Sequence, residues 1–411
     1  MSARFVIAWM YLIGFLRAMY VHLPIYTLFL LDHEISMSLI VFAAMFYSLG
    51  QFLFEVPTGI FADVFGQRLS LVIGFFIEAL GLFLILIFPT PFGLCLSYLL
   101  GGIGGAFLSG TEEAILFENV AQTKRSYPAV YANYLNSQTI GMVAATIIGG
   151  GFFALFGISA SMPLIFTTAL ALVFCALMAT RLREPHRASA DTKKEGSRYI
   201  RVLFEGFAII RNDKLLKTIM IVSMLIIPGE YFLYSVYQPI FAESNVSGLW
   251  FGLAISVGML LNVGLTALLG RLEKHLTLER ILGLVTLLCG VFYFILSVSQ
   301  TAFLVVCAVI GILALVEVYR PVVSDYVNER IPSERRVTVL SSISFAQRVS
   351  SSGLRLLLTG AIVLLGTRGG IAMNGFYLLF GGLISWWLLV RCGCTHRLHR
   401  HPVPLLPETK F

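Results

Sequence analysis

Runs of about twenty apolar residues, separated by short polar gaps, recur along the whole chain. A helix of about that length is what it takes to cross the hydrocarbon core of a bilayer. Lipid offers no partner for a backbone N–H or C=O, so such segments must satisfy those groups internally, as helices do. On this rule spans are expected near 5–30, 37–61, 69–88, 91–117, 129–156 and 161–181, and again near 215–241, 248–270, 280–298, 302–325, 337–365 and 371–391. Composition supports the reading: 58% of the 411 residues are hydrophobic and 12% charged, against about 45–50% and about 25% in an ordinary soluble domain. A soluble chain this poor in polar groups could not cover its own surface.

The net charge of +7 does not indicate nucleic acid, which needs basic residues clustered on one water-facing surface. Here they occupy the gaps between apolar runs, where an excess of Lys and Arg marks the cytoplasmic side. Arg4, Arg68, Lys124, Arg125, Arg271, Lys274, Arg280, Arg330, Arg335 and Arg336, with the middle segment and the tail, fall on one side; Arg368 falls on the other. Both termini are therefore expected in the cytoplasm, in an inner-membrane protein with an even number of spans, and twelve supplies it. The opening stretch MSARFVIAWMYLIGFLRAMYVHLP is expected to be a permanent span rather than a cleaved signal: it is long, carries Arg17 in its middle and has no small-residue cleavage site. The six cysteines form no secreted disulfide pattern.

The one long polar interruption, 182–214, divides the chain six spans plus six. The expected units are an N-terminal bundle (1–181), a linker (182–214), a C-terminal bundle (215–391) and a tail (392–411). Within the linker RYIRVLFEGFAII alternates charged and apolar residues, as an amphipathic surface helix would, though a plain tether is an equal reading. The halves also align faintly. An offset of 207 sets Glu118 on Asp325, and one near 210 sets Asp63 on Glu273, as expected of a transporter built from repeats. The fold class is an all-α membrane protein, twelve helices in two pseudo-symmetric six-helix bundles.

Between spans 2 and 3 the chain reads FEVPTGIFADVFGQR, in which Gly59, Asp63, Gly66 and Arg68 give G-x-x-x-D-x-x-G-x-R. This resembles the signature loop of the major facilitator superfamily, and the resemblance extends over the twelve-span plan. The glycines suit close approach and positive φ, and the resemblance implies that Asp63 helps hold the cytoplasmic side closed in one state. Val64 and Gln67 stand where that family often has basic residues. In span 5, Gly141, Ala145, Thr146, Gly149 and Gly150 fit the frame of the glycine-rich motif of the superfamily's drug:proton antiporters, with Ala145-Thr146 in place of Gly-Pro. Small residues at this spacing also serve plain helix packing. In span 4 Tyr98 stands where many antiporters carry an arginine, before Gly102-Ile-Gly104-Gly105-Ala106.

Ionisable groups at bilayer depth are expensive and carry a functional reading by default. The resemblance implies that spans 1, 4, 7 and 10 line a central cavity. They carry Arg17, then Glu112 and Glu113, then Glu230, then Glu317 and Arg320. Glu230 follows Pro228-Gly229, where a helix break is expected, and would share a face with Tyr234 and Tyr237 at i+4 and i+7. Arg348 and Arg355, seven apart in span 11, would line the cavity or answer Glu317; Glu55 and Glu78 are read as partners between helices. The tail residues Cys392, Cys394, His396, His399 and His401 match no familiar metal site, and no metal or cofactor is expected.

The function expected is proton-coupled export of a small amphipathic compound by a monomer in the bilayer. Arg17, Glu230, Tyr234, Tyr237, Arg320, Arg348 and Arg355 are the candidate substrate ligands. Glu230, Glu112 and Glu113 are the candidate proton carriers, and the loop motif and the span-5 glycines the candidate gate. The alternative is an importer or facilitator of a small anionic nutrient or metal chelate; a receptor or an enzyme is weaker still, because the chain has no nucleotide motif or nucleophile–base pattern. Cysteines placed at 68, 124 and 274 should be shielded from an impermeant thiol reagent in intact cells, and those at 33 and 368 labelled. Labelling of position 124 from outside would overturn the topology.

Overall fold

A computed structural model of the chain describes residues 2–182, 205–230, 232–272, 277–316, 318 and 333–392. Glu273, Lys274, Glu317, Arg320, Asp325 and the tail beyond Cys392 lie outside the described residues, as does the side chain of Glu230. Every regular element among the described residues is helical.

The helix boundaries follow local chemistry. Helix α1 (Ala3–Arg17) opens on Ser2, whose hydroxyl accepts from Phe5 N, and after a turn at Leu23–Ile25 the chain resumes as α2 (Tyr26–Asp32). Ser36 caps α3 (Met37–Phe65) in the same way, and Gly66, at φ 100, ends it and starts α4 (Gln67–Ile87). Thr90 caps α5 (Pro91–Leu108), where Pro91 takes the first position, whose N–H has no helical partner. Gly110, at φ 74, separates α5 from α6 (Thr111–Val120). Helices α7 (Tyr127–Phe156) and α8 (Ser161–Ala179) are divided by Gly157, at φ 58.

The second half begins with a short helix α9 (205–212). It continues through α10 (Lys214–Glu230), α11 (Leu233–Glu243), α12 (Trp250–Leu272), α13 (Leu278–Val298) and α14 (Ala302–Leu315). The last run, Ser333–Cys392, breaks at Gly366 (φ 74, ψ 176) into α15 (333–365) and α16 (367–392). Eight helical runs among the described residues are long and apolar enough to cross a membrane.

Three of the spans expected to be continuous are interrupted, and a fourth stops early. The first breaks between α1 and α2, the fourth at Gly110 and the seventh at Phe232, while α14 ends at Leu315 within the tenth. Each interruption strands backbone carbonyls, and side chains from neighbouring helices answer them. Pro228 has no N–H for the carbonyl one turn back; Met224 O instead accepts from Ser350 Oγ at 2.7 Å and Tyr377 Oη at 3.2 Å. Asn374 Nδ2 donates to Gly229 O at 2.9 Å. Ser70 Oγ donates to Phe107 O at 2.8 Å, Thr58 Oγ1 to Ala106 O at 3.1 Å, and Asn262 Nδ2 to Ala314 O at 3.0 Å and to Val316 O.

The chain has a basic face, with Arg4, the Gly66 turn, Lys124 and Arg181, and an opposite face with His33, Thr90, Gly157 and Gly366. Near the opposite face one apolar core joins the two halves: Phe29, Leu30, Ile40 and Val41 pack in one cluster with Val236, Phe241, Phe251 and Leu358. Toward the basic face the core splits into two, one around Ile7, Phe75 and Leu172 and one around Ile219, Leu282 and Ile343. Large apolar side chains such as Leu155, Phe303 and Leu364 stay exposed at 78%, 73% and 81%, as a surface bathed in lipid requires.

Three seams connect the halves. In the first, α7 and α12 approach so closely that a Cβ on Gly252 would strike the Thr146 carbonyl and one on Gly150 the backbone of Gly252. Beside them Thr146 Oγ1 and Ser256 Oγ are 2.7 Å apart and Phe153 meets Phe251 edge to face. In the second, Gln238 of α11 accepts from Thr27 N at 2.8 Å and donates to Leu23 O at 2.8 Å. In the third, Arg348 of α15 binds Glu55 of α3 through both guanidinium nitrogens, Arg355 donates to Ala44 O, and Phe52 packs on Phe345. Glu55 is thus the partner between helices that the sequence suggested. Of the segment expected as a surface helix or a tether, the described part, α9, docks on α15: Phe207 packs on Phe345 and a Cβ on Gly206 would meet Ser342.

Gly252→Leu should force α7 and α12 apart and lower stability by about 1–3 kcal/mol, the usual effect of overpacking, read as a reduced midpoint of thermal unfolding. Arg348→Glu should likewise lower the midpoint and impair transport by setting two carboxylates together, and adding Glu55→Arg should restore both. A double variant no better than the single one would remove this ion pair from the seam.

Candidate functional site

The first and fourth spans break beside each other, and their ends carry opposite charge. Arg17 occupies the last turn of α1, and Glu112 and Glu113 the first turn of α6. A cation at a helix C-terminus and anions at an N-terminus each complement the local backbone dipoles. Arg17 Nη1 is bonded to Glu112 Oε2. Glu112 is buried, and its Oε1 has no hydrogen-bond partner among the described residues; the same holds for Oη of buried Tyr134. The guanidinium carbon of Arg17 lies 6.0 Å from the centre of the Phe75 ring on α4.

Around this pair lies a cavity of about 240 Å³ lined by Arg17, Gln51, Glu112, Glu113, Tyr131, Tyr134 and Gln138, among others. Exposed Glu113 accepts from Tyr131 Oη at 2.7 Å. Tyr131, Tyr134, Leu135 and Gln138 are spaced i, i+3, i+4 and i+7, so one face of α7 forms a wall. Tyr127, Tyr131 and Tyr134 stack along it, with ring centres 5.7 and 6.3 Å apart and planes inclined by 15° and 28°. This wall offers flat aromatic surface and phenolic hydroxyls beside two carboxylates and one arginine.

The other residues singled out in the sequence lie elsewhere. Helix α10 ends at Glu230 and α11 begins at Leu233, and the face expected of Glu230 with Tyr234 and Tyr237 rests on a side chain outside the described residues. Tyr237 is fully buried and donates to Phe251 O at 3.2 Å, and Tyr234 packs beside the same apolar cluster. Arg348 and Arg355 are engaged across the seam with α3, so the basic lining expected of them is taken up by Glu55 and a carbonyl.

In the signature loop Gly66 has the positive φ expected, whereas a Cβ on Gly59 would meet nothing within 4 Å, so no close approach depends on it. Asp63 and Arg68 are exposed, and buried Gln67 donates to Glu118 Oε1 at 3.1 Å. Gly141 and Gly149 let α7 lie against the first span, at Phe15 O and Val21 O, while Gly150 faces α12.

Gln51, Tyr131, Tyr134 and Gln138 escaped the search for ionisable groups, although the polar face of α7 was open to a periodicity count. Among the described residues no group of His, Cys, Asp and Glu has the geometry to hold a metal ion.

Comparison with known proteins places this geometry. A family model described as Major Facilitator Superfamily matches residues 8–354. An uncharacterized MFS-type transporter, YxaM of Bacillus subtilis (strain 168), is 22% identical over 331 residues, covering 79% of this chain and 80% of that protein. An uncharacterized transporter of Buchnera aphidicola subsp. Schizaphis graminum is 27% identical over 197 residues, 47% of this chain and 49% of its own. Among solved structures, a variant of the nucleoside transporter NupG superposes with a TM-score of 0.78 at 14% identity, covering 93% of this chain and 99% of that one. A POT family transporter in complex with a thioalcohol-conjugated peptide gives 0.72 at 14%, covering 95% and 96%. With the family model spanning most of its length, the chain belongs to the major facilitator superfamily and is a multi-pass membrane transporter rather than an enzyme.

Proposed function

We propose that this transporter exports a small amphipathic compound, a flat aromatic body with a cationic head, in exchange for protons. The observation that carries the reading is the cavity at the basic face. Two carboxylates, Glu112 and Glu113, face one arginine there, so the lining has a net negative charge, and a tyrosine stack flanks it. A cation is attracted to both the carboxylates and the ring faces. The anionic-nutrient reading has less support, because Arg17, Arg348 and Arg355 are each engaged by a carboxylate or a carbonyl.

In this reading the helices make twelve crossings in two six-helix bundles, 1–181 and 215–391, joined by 182–214 and followed by the tail 392–411. The basic face and both termini are cytoplasmic, in an inner-membrane monomer. The split apolar core toward the basic face supports an arrangement in which the cavity opens to the cytoplasm while the seams near the opposite face stay shut. The loop of Asp63, Gly66 and Arg68 would meet its counterpart when the bundles rock, and the glycines of α7 would act as the pivot surface. Glu230, at the end of α10, and Glu112 and Glu113 are the carboxylates that the sequence itself offers for proton coupling.

The test is purified protein in liposomes with an imposed pH gradient and ethidium, a flat aromatic cation, as probe. An acid interior should drive ethidium accumulation, and Glu113→Gln should weaken apparent affinity roughly ten- to hundredfold. That range follows from a charge-assisted interaction of about 1.5–3 kcal/mol. Tyr131→Ala should weaken it further. Gradient-driven movement of small organic anions with none of ethidium would favour the importer instead.

A further inference from the structure

One buried acid has no place yet in this scheme. Glu78 sits mid-way along α4, buried at 8% exposure, and its Oε2 has no hydrogen-bond partner among the described residues. It lies one turn beyond Phe75 on the same helix face, and that ring underlies the Arg17 guanidinium. Helix α5 presents Gly104 to it, where a Cβ would come within 2.6 Å of Glu78 Cγ, so the carboxyl occupies a slot that the glycine leaves open. Among the described residues, the charged and titratable groups that act on it electrostatically are Arg17 at the end of α1, Tyr20 beyond it, Tyr47 of α3, Glu112 of α6 and Cys175 of α8, with Tyr134 of α7 beside Arg17 and Glu112. Arg17 is the one cation in that set, and two buried carboxyls, Glu112 and Glu78, compete for it.

We propose that Glu78 and Glu112 share Arg17, and that Glu78 is the carboxyl through which the N-terminal half takes up and releases the coupling proton. The proposal rests on the proton-exchange reading above and names its site. In the arrangement described, Arg17 binds Glu112 and Glu78 carries a proton, so the cluster is neutral. A cationic head arriving on Glu112 displaces the guanidinium, which turns about its own side chain to Glu78. The O–H bond of Glu78 breaks, its electron pair stays on the carboxylate, and the proton passes to water that reaches it from the cavity as the guanidinium moves. Arg17 with Glu78, and the substrate cation with Glu112, again sum to zero. One monovalent cation therefore exchanges for one proton with no net charge moved, and the neutral cluster avoids an uncompensated charge at bilayer depth.

The experiment needs neither substrate nor gradient. Infrared spectra of the full-length protein in liposomes at neutral pH report a protonated carboxyl by its C=O stretching band. Wild type should show this band and Glu78→Gln should lack it. Glu112→Gln should lack it too, although Glu78 is intact, because Arg17 then moves to Glu78; adding Arg17→Gln to Glu112→Gln should bring it back. Thermal unfolding checks that each variant is folded, and Glu78→Asp, which keeps the acid, should keep the band at a displaced frequency. A band that survives Glu78→Gln puts the proton on another residue and overturns the proposal. One that survives Glu112→Gln overturns the sharing of Arg17. Ethidium accumulation indifferent to the pH gradient, together with the predicted band pattern, would instead sink the coupling reading and leave the shared arginine standing.

Discussion

A backbone carbonyl at bilayer depth has no solvent to turn to, and this constraint organises the molecule. A helix satisfies its own carbonyls everywhere except at its ends, so each break inside a span creates a local debt of hydrogen bonds that another helix must meet. The hydroxyls and amides of Ser70, Thr58, Ser350, Tyr377, Asn374 and Asn262 all meet such breaks. None of these side chains is charged, and each fixes one helix against the interrupted end of another. The breaks thereby become precise positions rather than loose ones. They bring helix termini, with their partial charges, to the interior where a polar solute has to be held.

The packing sorts itself by the same logic. Where the halves must seal, glycines remove the side chains that would separate α7 from α12, and apolar residues of both halves merge into one core. Toward the basic face no such merger occurs, and the polar cavity occupies the N-terminal half there. Apolar contact holds one end and polar groups populate the other. Lipid cannot drive helices together hydrophobically, so close small-residue packing and hydrogen bonds have to supply the seal. The α7–α12 seam has both.

Much of the fold was legible because its determinants are periodic and local. Apolar run length marks the helices, and in the signature loop Gly66 sits where the chain needs positive φ. The site was less legible for a physical reason. Charge at bilayer depth is conspicuous in a sequence, so Arg17, Glu112 and Glu113 were found, but sequence says nothing of which charge answers which. Arg348 answers Glu55, some 290 positions away, rather than lining the cavity. Tyr237, which helical spacing sets on a face with Glu230, is buried and donates to Phe251 O. Tyr131, Tyr134 and Gln138 are neutral and drew no notice, although they share the face that becomes the wall.

Counting charge across the interior explains why the cavity is acidic while the protein as a whole is basic. The excess of Lys and Arg sits in the connections, where it bears on orientation, and does not reach the binding space. Inside, Arg348 is neutralised by Glu55 and Arg17 by Glu112, while Arg355 donates to a carbonyl of α3. Among the described residues of the cavity and its surroundings, Glu113, exposed, and Glu78, buried, remain on the acidic side. Tyr131 donates to Glu113. Glu78 is buried, its second oxygen has no hydrogen-bond partner among the described residues, and in the proposed scheme Arg17 is what answers its charge. Glu78 and Glu112, which in the proposed scheme share the one movable cation Arg17, give the interior two charge-balanced arrangements rather than one.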